Sequence, residues 1–209
     1  MPRATVLLLL AALAASAEPL ALLCVGDSLT AQRHLPEALA EGLRASGRWP
    51  AVTLTVLAAG GETPDGMRRR LADGSWALPD TPGARQAVVL AGTNRYDAAA
   101  VVALADDLAA RGWPVAVLAT PPRRTPPGRE GAGHDFPQAN RDFNVRLAAL
   151  LAAQRAHRWI DARDPLRDPA RPPADGDWLA PAYAADHTHL TADGYRAFAT
   201  AVAAALLAP

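Results

Sequence analysis

From Leu20 onward the chain alternates short continuous apolar runs with longer segments whose apolar residues recur at helical spacing. The run 20–25 is apolar throughout and stops at Gly26, the pattern of a strand buried on both faces. The same reasoning predicts strands at 52–57, closed by Gly60 and Gly61, at 87–91, at 114–119 and, more briefly, at 159–161. Between them the spacing predicts helices over 35–45, 64–71, 98 to about 111, 140–154 and 192–207. Pro36 suits a first helical turn, where its missing N–H is no loss. Such alternation calls for an α/β domain with a mostly parallel, five-stranded sheet, helices on both faces and right-handed crossovers. In sheets of this kind functional residues gather at the carboxyl ends of the strands. Two stretches, 121–137 and 165–181, resist regular structure; loops of that length are often functional or mobile. No internal repeat is visible, and 209 residues suit a single domain.

The first residues carry a different pattern. Arg3 supplies a positive start, 6–15 is almost wholly Leu and Ala, and Ala15-Ser16-Ala17 has the small-x-small form of a cleavage site. The apolar part falls short of the roughly 20 residues that span a bilayer. We therefore expect a signal peptide at 1–17, a mature domain at 18–209 and a secreted or periplasmic location, with an uncleaved anchor as the alternative. The closing helix is also too short to span, so no stable membrane span is expected after signal removal. Lys and Arg number 21, as do Asp and Glu, so the formal net charge is zero and nothing favours a nucleic-acid partner. Oligomeric state is not readable. The single cysteine, Cys24, lies in an apolar run after Leu23 rather than after the small residue usual at a lipid-attachment site. It reads as a buried small side chain.

Four short segments fall where a strand ends or a helix begins. Gly26-Asp27-Ser28-Leu29-Thr30 follows the first strand, and its Asp, Ser or Thr would serve equally as a helix cap. Gly60-Gly61-Glu62-Thr63 follows the second and Gly92-Thr93-Asn94 the third; each would also serve as an ordinary turn. Asp186-His187-Thr188-His189-Leu190-Thr191 precedes the last helix. Taken together they answer one chemical need. A serine hydroxyl becomes a nucleophile when a base takes its proton, and histidine suits that task near neutrality. The histidine in turn needs an acid to fix its tautomer. Asp186 and His189 are three apart, so a helical turn sets them on one side, with the other ring nitrogen free for Ser28. The oxyanion that forms on an attacked carbonyl needs preorganised donors. The N–H groups of Ser28 and Gly61 and the Asn94 amide offer three.

Gly-Asp-Ser-Leu, then Gly, then Gly-x-Asn, then Asp-x-x-His followed by Leu-Thr-x-x-Gly-Tyr resembles the SGNH hydrolases, or GDSL esterase/lipase family, from about Leu20 to the end. The resemblance implies a flavodoxin-like three-layer α/β/α fold and a Ser28–His189–Asp186 triad. It also implies an oxyanion hole from Ser28, Gly61 and Asn94, with no metal or organic cofactor. The expected substrate is a small-molecule or carbohydrate-linked ester, and small residues around the glycines lean toward short acyl or acetyl groups. Acyl transfer, or binding of an acylated sugar without turnover, stays open. One departure stands out: the family pattern commonly continues Gly-x-Asn-Asp, whereas Arg95 follows Asn94 here. Arg95 is read first as a replacement strut and second as a cleft residue favouring negatively charged substrates. Among the other histidines, His187 competes with His189, and His-x-His beside Asp186 raises a metal site as a rival. His34 could lie near the cleft rim, His134 reads as a solvent-exposed loop residue, and His157 as an ordinary helix-end residue.

Overall fold

A computed structural model describes residues 18–49, 51–126, 135–171 and 176–209. The expected signal peptide, His134 and much of the 121–137 stretch lie outside the described residues. β1 (Leu20–Gly26) is buried along its whole length, and its alternation shows why an unbroken apolar run was needed. Leu20, Leu22 and Cys24 face one core, while Ala21, Leu23 and Val25 face the other. A strand interior to a sheet covered on both sides has no solvent face to make polar. Burial pushes the Cys24 thiol up to about 12, as befits a small apolar filler.

After β1 come α1 (Ser28–Ala31), α2 (His34–Ala45), β2 (Val52–Ala58), α3 (Pro64–Ala72) and β3 (Ala84–Leu90). They are followed by α4 (Ala98–Ala109), β4 (Val115–Leu118), α5 (Phe136–Gln154), β5 (Arg158–Ile160) and α6 (Ala192–Leu207). The stretch 165–181 contains parts of two single 3₁₀ turns, Asp164–Leu166 and Pro181–Tyr183. It is further tied by isolated bridges from Arg123 to Trp178 and from Arg167 to Leu179. α5 starts at Phe136, earlier than the spacing indicated, because Asp135 caps it through the Gln138 N–H and Pro137 fits its first turn.

The five strands are all parallel, in the order β2-β1-β3-β4-β5. One face is covered by α2 and α6 through Leu39, Leu43, Phe198 and Val202. The other is covered by α3, α4 and α5 through Met67, Leu104, Leu108, Phe143 and Leu147. The result is a three-layer α/β/α domain of flavodoxin-like strand order. The chain leaves β1 toward β2 on one side and returns to β3 on the other, so a crevice opens between β1 and β3. Gly26 pairs with both Ala58 and Leu90, which brings the ends of β1, β2 and β3 level. The segments that follow these strands therefore emerge side by side. Among the described residues no helix is long and apolar enough to cross a membrane.

Candidate active site

Ser28 opens α1 two residues after Gly26, the glycine that ends β1. Asp27 caps this short helix, its Oδ1 accepting the Leu29 N–H at 3.1 Å. The cap duty of this segment thus falls to Asp27, which leaves the Ser28 hydroxyl free of it. Asp27 is fully buried. Burial pushes its carboxyl above the ordinary aspartate value, with the Leu29 N–H and Thr93 pulling the other way.

The turn before α6 builds the other half. Asp186 Oδ1 accepts the N–H groups of Thr188 at 2.6 Å and His189 at 2.7 Å, a turn made by an aspartate's own side chain. Its Oδ2 lies 2.7 Å from His189 Nδ1. Buried Leu190, and Thr191 capping α6 through the Gly194 N–H, anchor the segment on the domain. Partial burial pulls the Asp186 carboxyl upward, but the His189 ring and the two N–H groups outweigh it and hold the value at about 2. With Nδ1–H donating to Asp186, Nε2 is left as the acceptor, and Ser28 Oγ lies 2.9 Å from it. Hydroxyl, imidazole and carboxylate therefore form one connected line across 161 residues of sequence.

The loops that carry the three expected donors follow β1, β2 and β3, whose ends are level. Gly61 sits at φ +72, a conformation costly to other residues, and a Cβ there would meet nothing within 4 Å, so that side is open. Asn94 Nδ2 donates to the Glu62 carbonyl at 3.0 Å, tying the loop after β3 to the loop after β2. Glu62 is itself held by Arg70 at 2.6 Å and by the Thr63 N–H. The amide carries a second N–H, and neither the Ser28 nor the Gly61 N–H enters a turn or loop hydrogen bond among the described residues. Gly92, at φ +113, lets this loop lie on Phe143; a Cβ there would stand 2.3 Å from the ring.

Arg95 is not a strut. Its side chain is exposed, without a hydrogen bond or ion pair to any described residue, and lines a groove of about 610 Å³ with Arg146 and Leu150. A tie that sequence reasoning missed comes instead from Arg123, in the stretch after β4 that offered only Pro, Gly and Arg as signals. Its guanidinium donates to the Thr93 carbonyl, to Tyr96 Oη and to Thr188 Oγ1.

The remaining histidines lie elsewhere. The His187 ring stacks on Phe136 at 6.3 Å rather than joining Asp186 and His189, which disfavours a metal site there. His34 packs against Tyr195 at 5.6 Å. His157 is more than a helix-end residue, because its buried ring reaches Asp106 of α4 at 2.7 Å.

No family model matches the chain, and no curated protein matches it. Solved structures do. A GDSL-like lipase from Bacteroides thetaiotaomicron is 18% identical, with 89% of this chain and 87% of that one covered and a TM-score of 0.64. A member of the lipolytic protein G-D-S-L family from Veillonella parvula is 22% identical, covering 90% and 97%, with a TM-score of 0.61. An acetyl xylan esterase, AlAXEase, is 19% identical, covering 90% and 100%, with a TM-score of 0.64. The chain shares the fold of these proteins over about nine-tenths of its length.

Proposed function

We propose that this chain is a serine hydrolase of the SGNH type that cleaves carboxylic ester bonds through an acyl-enzyme. The observation that carries the proposal is the unbroken line from Ser28 Oγ to His189 Nε2 at 2.9 Å and from His189 Nδ1 to Asp186 at 2.7 Å. Ser28 Oγ attacks the ester carbonyl carbon while His189 Nε2 takes the hydroxyl proton. The oxygen that gains the negative charge faces the Ser28 and Gly61 N–H groups and the second N–H of Asn94. The bond to the alcohol then breaks, His189 returns the proton to the departing alkoxide, and the acyl group stays on Ser28. Water repeats the sequence with His189 again as base, releasing the acid and the free serine. Asp186 remains a carboxylate throughout, because its environment favours the ionised form.

Short acyl or acetyl esters fit the site best. Ser28 and His189 are half-buried, while Gly61, Asn94 and Asp186 are exposed, so the nucleophile sits at a shallow rim and not at the bottom of an apolar sleeve. The apolar start of the chain supports export, with the ester substrate met in the periplasm or outside the cell. A chain-length series of 4-nitrophenyl esters, run beside acetylated sugars, tests the reading. We expect the shortest acyl groups to be turned over fastest and Ser28→Ala to abolish turnover while keeping the native circular dichroism. Undiminished turnover by the Ser28→Ala protein would remove the mechanism.

A further inference from the structure

The loop that bears Asn94 and the turn that bears Asp186 and His189 come from opposite parts of the chain. Among the described residues no main-chain hydrogen bond joins 92–96 to 186–189. Catalysis by the line described above, on which this inference rests, nevertheless requires the oxyanion donor and the base to keep one fixed spacing. One side chain spans the gap. Arg123 is 7% exposed, and its Nη1 donates to the Thr93 carbonyl at 3.3 Å and to Tyr96 Oη at 2.9 Å. The Thr93 carbonyl belongs to the peptide group that leads into Asn94, so fixing it fixes the plane from which the Asn94 side chain departs. Nη2 donates to Thr188 Oγ1, and the N–H of the same Thr188 donates to Asp186 Oδ1.

The energetics set this arginine apart from an ordinary buried strut. No carboxylate among the described residues lies within ion-pair distance of it, and its Nε is buried without a partner. Its other support is the Phe136 ring, 4.6 Å below the guanidinium carbon. A buried cation with no counter-charge is costly, and a neutral side chain would fill the volume more cheaply. Its backbone is clamped as well, the N–H donating to the Asp177 carbonyl and the carbonyl accepting from the Leu179 N–H. The fork is thus presented from a fixed base to two loops that no main-chain hydrogen bond joins among the described residues, and the Arg124 N–H, donating to the His187 carbonyl, seats the second loop on the same base.

We infer that Arg123 is a positioning residue for the ester-cleaving site, holding the Asn94 loop and the Asp186–His189 turn at one spacing through Thr93 and Thr188. Arg123→Met removes the fork and keeps much of the volume, Arg123→Lys keeps charge with one point of attachment, and Thr188→Val removes only the acceptor hydroxyl. Turnover of 4-nitrophenyl acetate is measured per active site, titrated with a fluorophosphonate, in the native background and in Asn94→Ala. Arg123→Met and Thr188→Val should each lower kcat about tenfold or more with KM nearly unchanged, as expected for hydrogen bonds to a charged group. Arg123→Lys should fall between Arg123→Met and the native protein. In the Asn94→Ala background Arg123→Met should cost much less than it does natively, because the group it helps to place is gone. Amide exchange at Thr188 and His189 reads the same tie without turnover and should quicken about tenfold in Arg123→Met. Native kcat per titrated site in Arg123→Met and Thr188→Val, or unchanged exchange at Thr188 and His189, would overturn the inference. So would an equal loss from Arg123→Met in both backgrounds. Undiminished turnover by the Ser28→Ala protein would instead sink the proposed serine mechanism, and the exchange measurement would still decide whether Arg123 ties the two loops.

Discussion

Replacing Asn94 by alanine removes two donors that have different duties. One N–H of the side-chain amide holds the Glu62 carbonyl at 3.0 Å, which orients the group; the second is free for an oxyanion. Losing the first is an exposed hydrogen bond worth about 1 kcal/mol of stability at most. On the proposed mechanism, losing the second removes one of three donors from the transition state, for which about 3 to 4 kcal/mol is typical in an enclosed site. Asn94 is exposed, and water competes for the developing charge, so the low end applies: about a hundredfold in kcat. KM should change little, since a neutral ester carbonyl gains far less from a donor than the oxyanion does. Initial rates on 4-nitrophenyl acetate, with active sites titrated and thermal midpoints recorded, separate lost chemistry from lost fold. Asn94→Asp should lose more than Asn94→Ala, because it sets a negative charge where negative charge develops. If kcat for Asn94→Ala stays within about threefold of the native value, the amide does not face the oxyanion and the assignment fails.

Three further outcomes follow from particular contacts. Gly92→Ala places a methyl 2.3 Å from the Phe143 ring at φ +113, and should cost about 2 to 4 kcal/mol by urea unfolding; a cost under about 0.5 would contradict the packing. Asp27→Asn keeps the Oδ1 acceptor for the Leu29 N–H and removes a buried charge, so it should raise the stability of the fold at neutral pH. The raised folded value means that ionised Asp27 opposes folding above that value. The gain should therefore fade on acidification and be gone below 3.8, and denaturation at several pH values showing a constant difference would exclude this cause. Arg95→Ala should leave both kcat on a neutral ester and the thermal midpoint unchanged, since the guanidinium has no partner among the described residues; a loss beyond about threefold would return Arg95 to the site.

The sheet was legible because burial on both faces leaves an unmistakable mark: 20–25 has no polar residue, and the structure shows why. The convergence of Ser28, Asp186 and His189 could be anticipated because strand ends in a parallel sheet share one edge. Legibility ended where a polar residue sits inside an element for tertiary reasons. β3 begins at Ala84, three residues earlier than the apolar run indicated. Arg85 there lies over Trp113, and Gln86 donates to the Ala87 and Pro114 carbonyls, so neither looks like a strand residue in isolation. α1 is a single turn, too short for periodicity to register. Arg123 sits between two prolines' worth of turn signal and a run of charged and small residues. Its role comes wholly from partners 30 positions before it and 65 after it.

Two aspartates compete for the part of acid in this site, and their surroundings divide them. Asp27 is adjacent to Ser28 in the chain, yet it is fully buried, and burial favours its neutral form. Asp186 lies 158 positions from Ser28 and is half-exposed, but three groups converge on its oxygens and hold its carboxyl at about 2. A carboxylate that steadies an imidazolium must be ionised whenever the histidine works, so the distant residue fits the part and the neighbour does not. Acid should act on the two in opposite directions. Asp186 adds stability above 3.8 that is lost as the pH falls toward about 2, whereas the burden of Asp27 lightens over the same descent. On the proposed mechanism the chain places a cap beside its nucleophile and brings the carboxylate partner of His189 from the far end of the sequence, and the strand order makes that possible by opening a crevice beside β1.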